Sequence, residues 1–250
     1  MRGVSATDRP AVPRLMRMAS HPVRWALLSE LAGGDHRVRE LAAAVDEPQN
    51  LVSYHLRLLR SAGLVDARRS SFDGRDTYYR LNLTGCAGAF RDAAAALHPA
   101  LAPAPVAAPP ARSVLFLCTG NSARSPMAEA LLKTRGRGRI RAASAGSHPK
   151  PHLHPNAIRI MRERYGVDLA GRRPQPLTAV ARRSFDCVIT LCDKVREYAH
   201  EHGPDVTMHW SLPDPSAHGA RYPEFSRVAD ELEDRIEFLL PALDARPRGR

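Results

Sequence analysis

The stretch that most constrains this chain is residues 114–132, VLFLCTGNSARSPMAEALL. An apolar run ends at Cys118, crosses a short loop and enters a helical pattern. The run predicts a buried parallel strand. Ser125 reads as the N-cap and Pro126 suits the first helical position. Met127, Ala130 and Leu131 then recur at helical spacing. A loop between a strand end and a helix N-terminus offers free N–H groups and the positive end of a dipole, so it attracts an anion. Arg124 adds a planar fork for a tetrahedral oxyanion. The same field predicts a lowered pKa and a reactive thiolate at Cys118. The bare spacing is unspecific in an Arg-rich chain; with its flanking strand and helix it reads as an anion cradle with a nucleophile at its floor.

The 250 residues leave room for two modest domains. Net charge is +11, which favours an acidic partner, nucleic acid being the usual one. The first residues, MRGVSATDRP, lack the apolar core of a signal peptide, and no apolar run reaches the length of a membrane span. Four cysteines make no disulfide scaffold, so reduced thiols and a cytoplasmic location are expected.

Residues 1–97 read as a DNA-binding domain. Pro22 to Leu31 is a predicted helix closed by Gly33 and Gly34. Val38 to Val45 is a second, and Asp46 to Pro48 turns the chain into a third, Gln49 to Ser61. Leu51, Val52, His55, Leu56, Leu58 and Leu59 supply the inner face of that third helix. Gln49, Asn50, Ser53, Tyr54 and Arg57 lie toward its N-terminal half and outer face, where a helix-turn-helix meets base edges. Two alternating strands follow, from Leu64 to Arg69 and Asp76 to Leu83, joined at Asp73-Gly74. Arg68, Arg69 and Arg75 at the hairpin tip would meet phosphates. The layout is a winged helix-turn-helix.

The pieces SHPVRWALLSEL, RVRELAAAV, NLVSYHLRLLRSAGLV and GRDTYYRLNL resemble the arsenic-repressor (ArsR) family of bacterial regulators. That resemblance implies a homodimer formed through the N-terminal domain and binding of double-stranded operator DNA. Many relatives sense metals through a Cys pair in the helix before the turn; here VRELAAAV has no Cys, so no metal site is assigned. Residues 98–112, HPALAPAPVAAPPAR, form a Pro/Ala-rich linker.

Residues 113–245 alternate strands and helices, and 246–250 are a basic tail. Predicted strands are 114–118, 139–144, 186–191 and 206–209; predicted helices are 126–132, 154–165 and 224–243. Phe225, Val228, Leu232, Ile236, Leu239 and Leu240 form the inner side of the last. The order predicts a doubly wound parallel sheet, with ligands beyond the carboxyl strand ends, where Cys118 and Cys192 both fall. The fold class is therefore α/β, a winged helix-turn-helix domain followed by a doubly wound domain.

LFLCTGNSARSPMAEALL, SAGSHP, VITLCD and HWSLPDPS occur in this order. They resemble the low-molecular-weight tyrosine phosphatases and, more closely, the arsenate reductases built on that fold. The resemblance implies Cys118 as nucleophile and an oxyanion site formed by Thr119, Gly120, Asn121, Ser122, Ala123, Arg124 and Ser125. Ser125 would hydrogen-bond the Cys118 thiolate and Asn121 would brace the loop. Asp214 resembles the general acid. Ala123, where the phosphatases usually carry a second Cys, and Cys192, at the place of a resolving Cys, both match the reductases.

Arsenate would react at Cys118, and Cys192 would then attack Cys118 to release arsenite and leave a disulfide. Residues 193–202 contain no third Cys, so an external thiol, thioredoxin or a small molecule, would reduce the disulfide directly. No bound cofactor is expected. A phosphatase, or a non-catalytic regulator that senses an oxyanion or redox state, are the other readings. Cys86 and Cys187 read as small buried hydrophobes, and His148, His152 and His154 as loop residues rather than metal ligands.

Overall fold

The computed structural model describes residues 12–70, 76–98, 112–202, 204–217 and 219–245. Arg75, the Asp73-Gly74 turn, nearly all of the 98–112 linker and the basic tail 246–250 lie outside the described residues. The chain divides into two compact units. One is Met1–Ala67 with Tyr79–Pro105; the other is Arg68–Tyr78 with Val106–Arg250.

From the N-terminal side, α1 (Arg14–Ala19), α2 (Pro22–Ala32), α3 (Val38–Val45) and α4 (Gln49–Ser61) precede a hairpin of β2 (Val65–Arg69) and β3 (Thr77–Leu81), then α5 (Leu83–Leu97). All of these fall in the first unit except Arg68, Arg69, Thr77 and Tyr78 of the hairpin, which belong to the second. A two-residue β1, His36–Arg37, completes a sheet of order β1-β3-β2. Leu27, Leu41, Val52, Leu56 and Leu59 are fully buried, so the apolar faces of α2, α3 and α4 meet in one core. Glu40 closes a capping box at the start of α3, accepting from the Arg37 N–H at 2.8 Å. Asp46 ends α3 in the left-handed region (φ 52°), and so redirects the chain into α4. α5 begins at Leu83, where the Asn82 side chain caps it by accepting from the Gly85 N–H at 2.8 Å. Cys86 is buried on α5 against the Leu64 carbonyl, and burial pushes its thiol up to about 11.

The second unit is a parallel four-stranded sheet of order β5-β4-β6-β7, built from β4 (Arg112–Cys118), β5 (Ile140–Gly146), β6 (Cys187–Thr190) and β7 (Met208–His209). The first strand, β4, is central, and all seven of its residues are buried. That explains its unbroken apolar reading. Its helices are α6 (Arg124–Arg135), α7 (Pro155–Tyr165), α8 (Asp193–His202) and α9 (Tyr222–Ala245). α8 is polar along most of its length and shows little period to read; only Val195 and Ala199 on it are fully buried apolar anchors. α6 is buried from Arg124 through Leu132, between β5 and α9. On α9 the predicted Phe225, Val228, Leu232, Ile236 and Leu239 are buried, with Leu240 packed at the margin.

The order places β5 and β6 on opposite sides of β4. The chain therefore crosses over at the carboxyl ends of β4 and β6, where open α/β sheets form a crevice. Cys118 is the last residue of β4, and Cys192 lies two residues past β6. Cys187 is inside β6 and fully buried.

Phe116 is fully buried, its ring 5.9 Å from that of Trp210. Phe116→Ala should therefore lower unfolding free energy by about 3–5 kcal/mol. Urea denaturation of the full chain would read this as a lower midpoint with an unchanged slope.

Candidate functional site

The loop from Thr119 to Ala123 is shaped by what its carbonyls bond. The N–H groups of His148, Lys150 and His154 donate to the carbonyls of Thr119 (2.9 Å), Gly120 (2.9 Å) and Ser122 (2.8 Å). In a trans peptide the C=O and the following N–H point in opposite directions. The N–H groups of Gly120, Asn121 and Ala123 are thus aimed away from those partners. Asn121 sits in the left-handed region (φ 44°), a conformation Asn tolerates better than most residues. Gly146, at the end of β5, lets the loop approach: a Cβ there would lie 2.7 Å from the Thr119 carbonyl oxygen and 2.9 Å from the Asn121 nitrogen.

α6 starts at Arg124, with Ala123 as the N-cap position and no side-chain cap. Ser125 is therefore not the N-cap. It lies inside the helix and its Oγ is 3.0 Å from Cys118 Sγ. Asn121 Nδ2 donates to Ser125 Oγ at 2.8 Å and to Ser144 Oγ at 3.0 Å, while Asn121 Oδ1 accepts from the Gln175 N–H at 2.7 Å. That backbone donor fixes which way the amide points. With its oxygen accepting from Asn121, Ser125 is left to donate its proton to the sulfur.

The network continues away from the pocket. Ser144 Oγ donates to Glu129 Oε2 at 2.7 Å, and Arg172 and Lys133 donate to the same carboxylate at 2.6 Å each. Burial would raise the Glu129 carboxyl, but these three donors hold it below the usual range. Arg172 lies outside every quoted motif, and although Glu129 and Ser144 fall within LFLCTGNSARSPMAEALL and SAGSHP, nothing in the sequence shows that they meet. The periodicity places Glu129 on a helix, yet only the folded chain brings the others to it.

Cys118, Arg124 and Cys192 are all buried. Thr119 Oγ1 lies 3.3 Å from Cys192 Sγ. Arg124 donates to the Leu212 carbonyl at 3.1 Å and pairs with Asp214 at 3.2 Å, which ties the 210–215 loop to the cradle. Burial pushes the Cys118 thiol up and outweighs Arg124 and Ser125, which pull it down; the nearby Cys192 adds to the rise. This corrects the expected lowering: sequence spacing reveals the charge beside a thiol but not the desolvation around it. Burial alone would depress the Arg124 guanidinium, but Cys192, Cys118, Asp214 and Asp193 hold it charged.

Of the histidines, His154 caps α7 by accepting from the Asn156 N–H at 3.2 Å and stacks on Phe225. Burial, with Lys150 nearby, lowers its pKa. His148 lies edge-on to Tyr198 on α8.

In the first unit, Gln49, Asn50, Tyr54 and Arg57 are exposed on α4 and Ser53 is half-buried, while Val52, His55, Leu56 and Leu59 face inward. On β2 Arg68 is half-buried and Arg69 exposed. Arg80 and Asp66 pair across the hairpin at 3.2 Å. No group of three or more metal-ligating side chains is found among the described residues, and no described helix is long and apolar enough to cross a membrane.

The sequence profile described as low molecular weight phosphotyrosine protein phosphatase matches residues 113–248, and that of bacterial regulatory proteins of the arsR family matches residues 21–67. An arsenate reductase of Bacillus anthracis is 36% identical over 127 residues, covering 50% of this chain and 92% of that protein. Among solved structures, an arsenate reductase from Archaeoglobus fulgidus is 29% identical, covering 51% of this chain and 98% of its own, with a TM-score of 0.42. A low molecular weight protein tyrosine phosphatase from T. tengcongensis is 24% identical, covering 53% and 99%, with a TM-score of 0.48.

Removing the Ser125 hydroxyl takes away a donor that favours the Cys118 thiolate. Ser125→Ala should therefore move the pH profile of Cys118 alkylation by iodoacetamide upward and slow the reaction at pH 7 about fivefold. A profile identical to wild type would remove Ser125 from the control of this thiol.

Proposed function

The chain belongs to the low molecular weight phosphotyrosine protein phosphatase family and carries an ArsR-type helix-turn-helix ahead of that domain, and we propose that it is a DNA-binding regulator fused to a cysteine-dependent arsenate reductase. The observation that carries the enzymatic half is the pairing of two buried thiols, Cys118 and Cys192, around one guanidinium. The relatives named arsenate reductase support the choice of arsenate.

In this mechanism the amides of the 119–123 loop and Arg124 hold arsenate. The Cys118 thiolate, with Ser125 donating to it, attacks arsenic. Asp214 protonates the departing oxygen, which leaves as water. Cys192 then attacks Cys118 Sγ. The sulfur–arsenic electron pair stays on arsenic, reducing As(V) to As(III), and arsenite leaves as the Cys118–Cys192 disulfide forms. Two electrons come from the two thiols, and an external thiol restores them. α8 carries no Cys, so that reductant, thioredoxin or a small molecule, acts on the disulfide itself. Thr119, whose Oγ1 lies 3.3 Å from Cys192 Sγ, would steady the second thiol.

For the regulatory half, Gln49, Asn50, Ser53, Tyr54 and Arg57 read bases of double-stranded operator DNA, and Arg68, Arg69 and Arg75 contact phosphates. The protein acts as a cytoplasmic homodimer through its N-terminal domain; Trp25, Phe90 and Leu97 there expose apolar side chains suited to a second copy. The linker 98–112 spaces the two activities.

A Cys192→Ser variant should bind arsenate and lose multiple-turnover arsenite formation, while any hydrolysis of para-nitrophenyl phosphate persists. Asp214→Asn should slow both. If Cys192→Ser left arsenate reduction intact, a phosphatase or oxyanion sensor would replace the reductase. Arg57→Ala should abolish operator-specific gel shifts, and retained specificity would remove α4 as the reading helix.

A further inference from the structure

We infer that Ser70 and Tyr78 are positioning residues for the Cys192 turn, acting through a buried pair formed by Asp193 and His209. The inference rests on the reductase reading for its chemistry, but its geometry stands apart from it. Ser70 and Tyr78 both belong to the second compact unit. Ser70 is buried, and its Oγ donates to Asp193 Oδ2 at 2.9 Å. The other oxygen of that carboxylate accepts from Ser211 Oγ at 2.6 Å and lies 3.3 Å from His209 Nε2. His209 Nδ1 is 2.8 Å from Thr190 Oγ1, which fixes the ring from its far side. Tyr78, also buried, lies edge-on to His209 with ring centres 5.1 Å apart, and the Arg196 guanidinium on α8 stands over the Tyr78 ring.

Asp193 follows Cys192 directly in the chain and is the first residue of α8. Ser211 and His209 lead into the loop that carries Asp214. One carboxylate thus ties the Cys192 turn to the Asp214 loop; Ser70 holds one of its oxygens and Tyr78 packs on its imidazole partner.

This matters for one step. A disulfide needs Cα atoms within roughly 4.4–6.8 Å and a defined dihedral angle, so the second thiol must be delivered along a narrow path. A turn anchored at Asp193 pivots about that anchor; a loosened turn samples geometries that do not close. Alkylation of Cys118 by iodoacetamide involves neither Cys192 nor the Asp214 loop and makes no use of the anchor. Loss of Ser70 or Tyr78 therefore slows disulfide closure and spares the Cys118 thiol.

The test uses the full chain, with Ser70→Ala, Ser70→Thr and Tyr78→Leu beside wild type. Closure of the Cys118–Cys192 bridge is followed by quenching and mass spectrometry after addition of arsenate, and separately of hydrogen peroxide. Peroxide converts Cys118 to a sulfenic acid, which condenses with the Cys192 thiol to give the same disulfide and water. The inference predicts closure about tenfold slower in Ser70→Ala and Tyr78→Leu, with more sulfenic acid trapped by dimedone in the peroxide arm. It predicts recovery in Ser70→Thr and an unchanged rate of Cys118 alkylation by iodoacetamide. Closure as fast as wild type overturns it, as does an equal slowing of alkylation, which would mark a general loosening of the pocket. If wild type closes with peroxide but not with arsenate, the reductase reading fails and the peroxide arm still decides the positioning role. If it closes with neither, the inference fails too.

Discussion

The site depends on where three carbonyls point. Thr119, Gly120 and Ser122 spend their carbonyl oxygens on the N–H groups of His148, Lys150 and His154, and peptide planarity turns the neighbouring N–H groups the other way. The rest of the second unit serves that arrangement. β5 ends in a glycine because a side chain would strike the loop. Gln175 fixes the Asn121 amide, Asn121 fixes Ser125, and Ser125 addresses the sulfur of Cys118. A chain of hydrogen bonds of this kind restricts each hydroxyl to one useful orientation, which free rotors would not hold.

Charge in this region is organised in two layers. Nearest the thiol, Arg124 is buried and kept charged by two sulfurs and two carboxylates. Farther back, Glu129 is buried and kept ionised by Lys133, Ser144 and Arg172. Desolvation opposes the charge on both, and these partners offset it. The Cys118 thiol is different: its supporting charges do not fully offset burial, so its pKa rises. An oxyanion bound as proposed would meet a guanidinium and amides already in place.

What the sequence discloses follows from how local each feature is. β4, the cradle loop and α6 are contiguous, so one stretch of residues reveals the strand, Cys118, Arg124 and the helix together. The helix-turn-helix is legible for the same reason. Ser125 shows the limit of local reading: a serine before a proline at a helix start looks like an N-cap, and only the fold reveals that α6 begins two residues earlier than that cap implies and gives the hydroxyl to Cys118. Glu129, Ser144, Arg172 and Gln175 come from four segments and converge by topology alone. α8 was hidden because Val195 and Ala199 are too few to set a period. The shift at Cys118 could not be read, since burial is a property of the assembled unit.

In the proposed function the 119–123 amides and Arg124 hold a tetrahedral oxyanion against Cys118. The most direct measurement is the rate of Cys118 alkylation by iodoacetamide, followed by mass spectrometry, as inorganic phosphate is added to the reduced full chain. Saturable protection of Cys118 in wild type, lost in Arg124→Ala, is the predicted result. Alkylation at an unchanged rate at every phosphate concentration, in folded protein, would contradict the account.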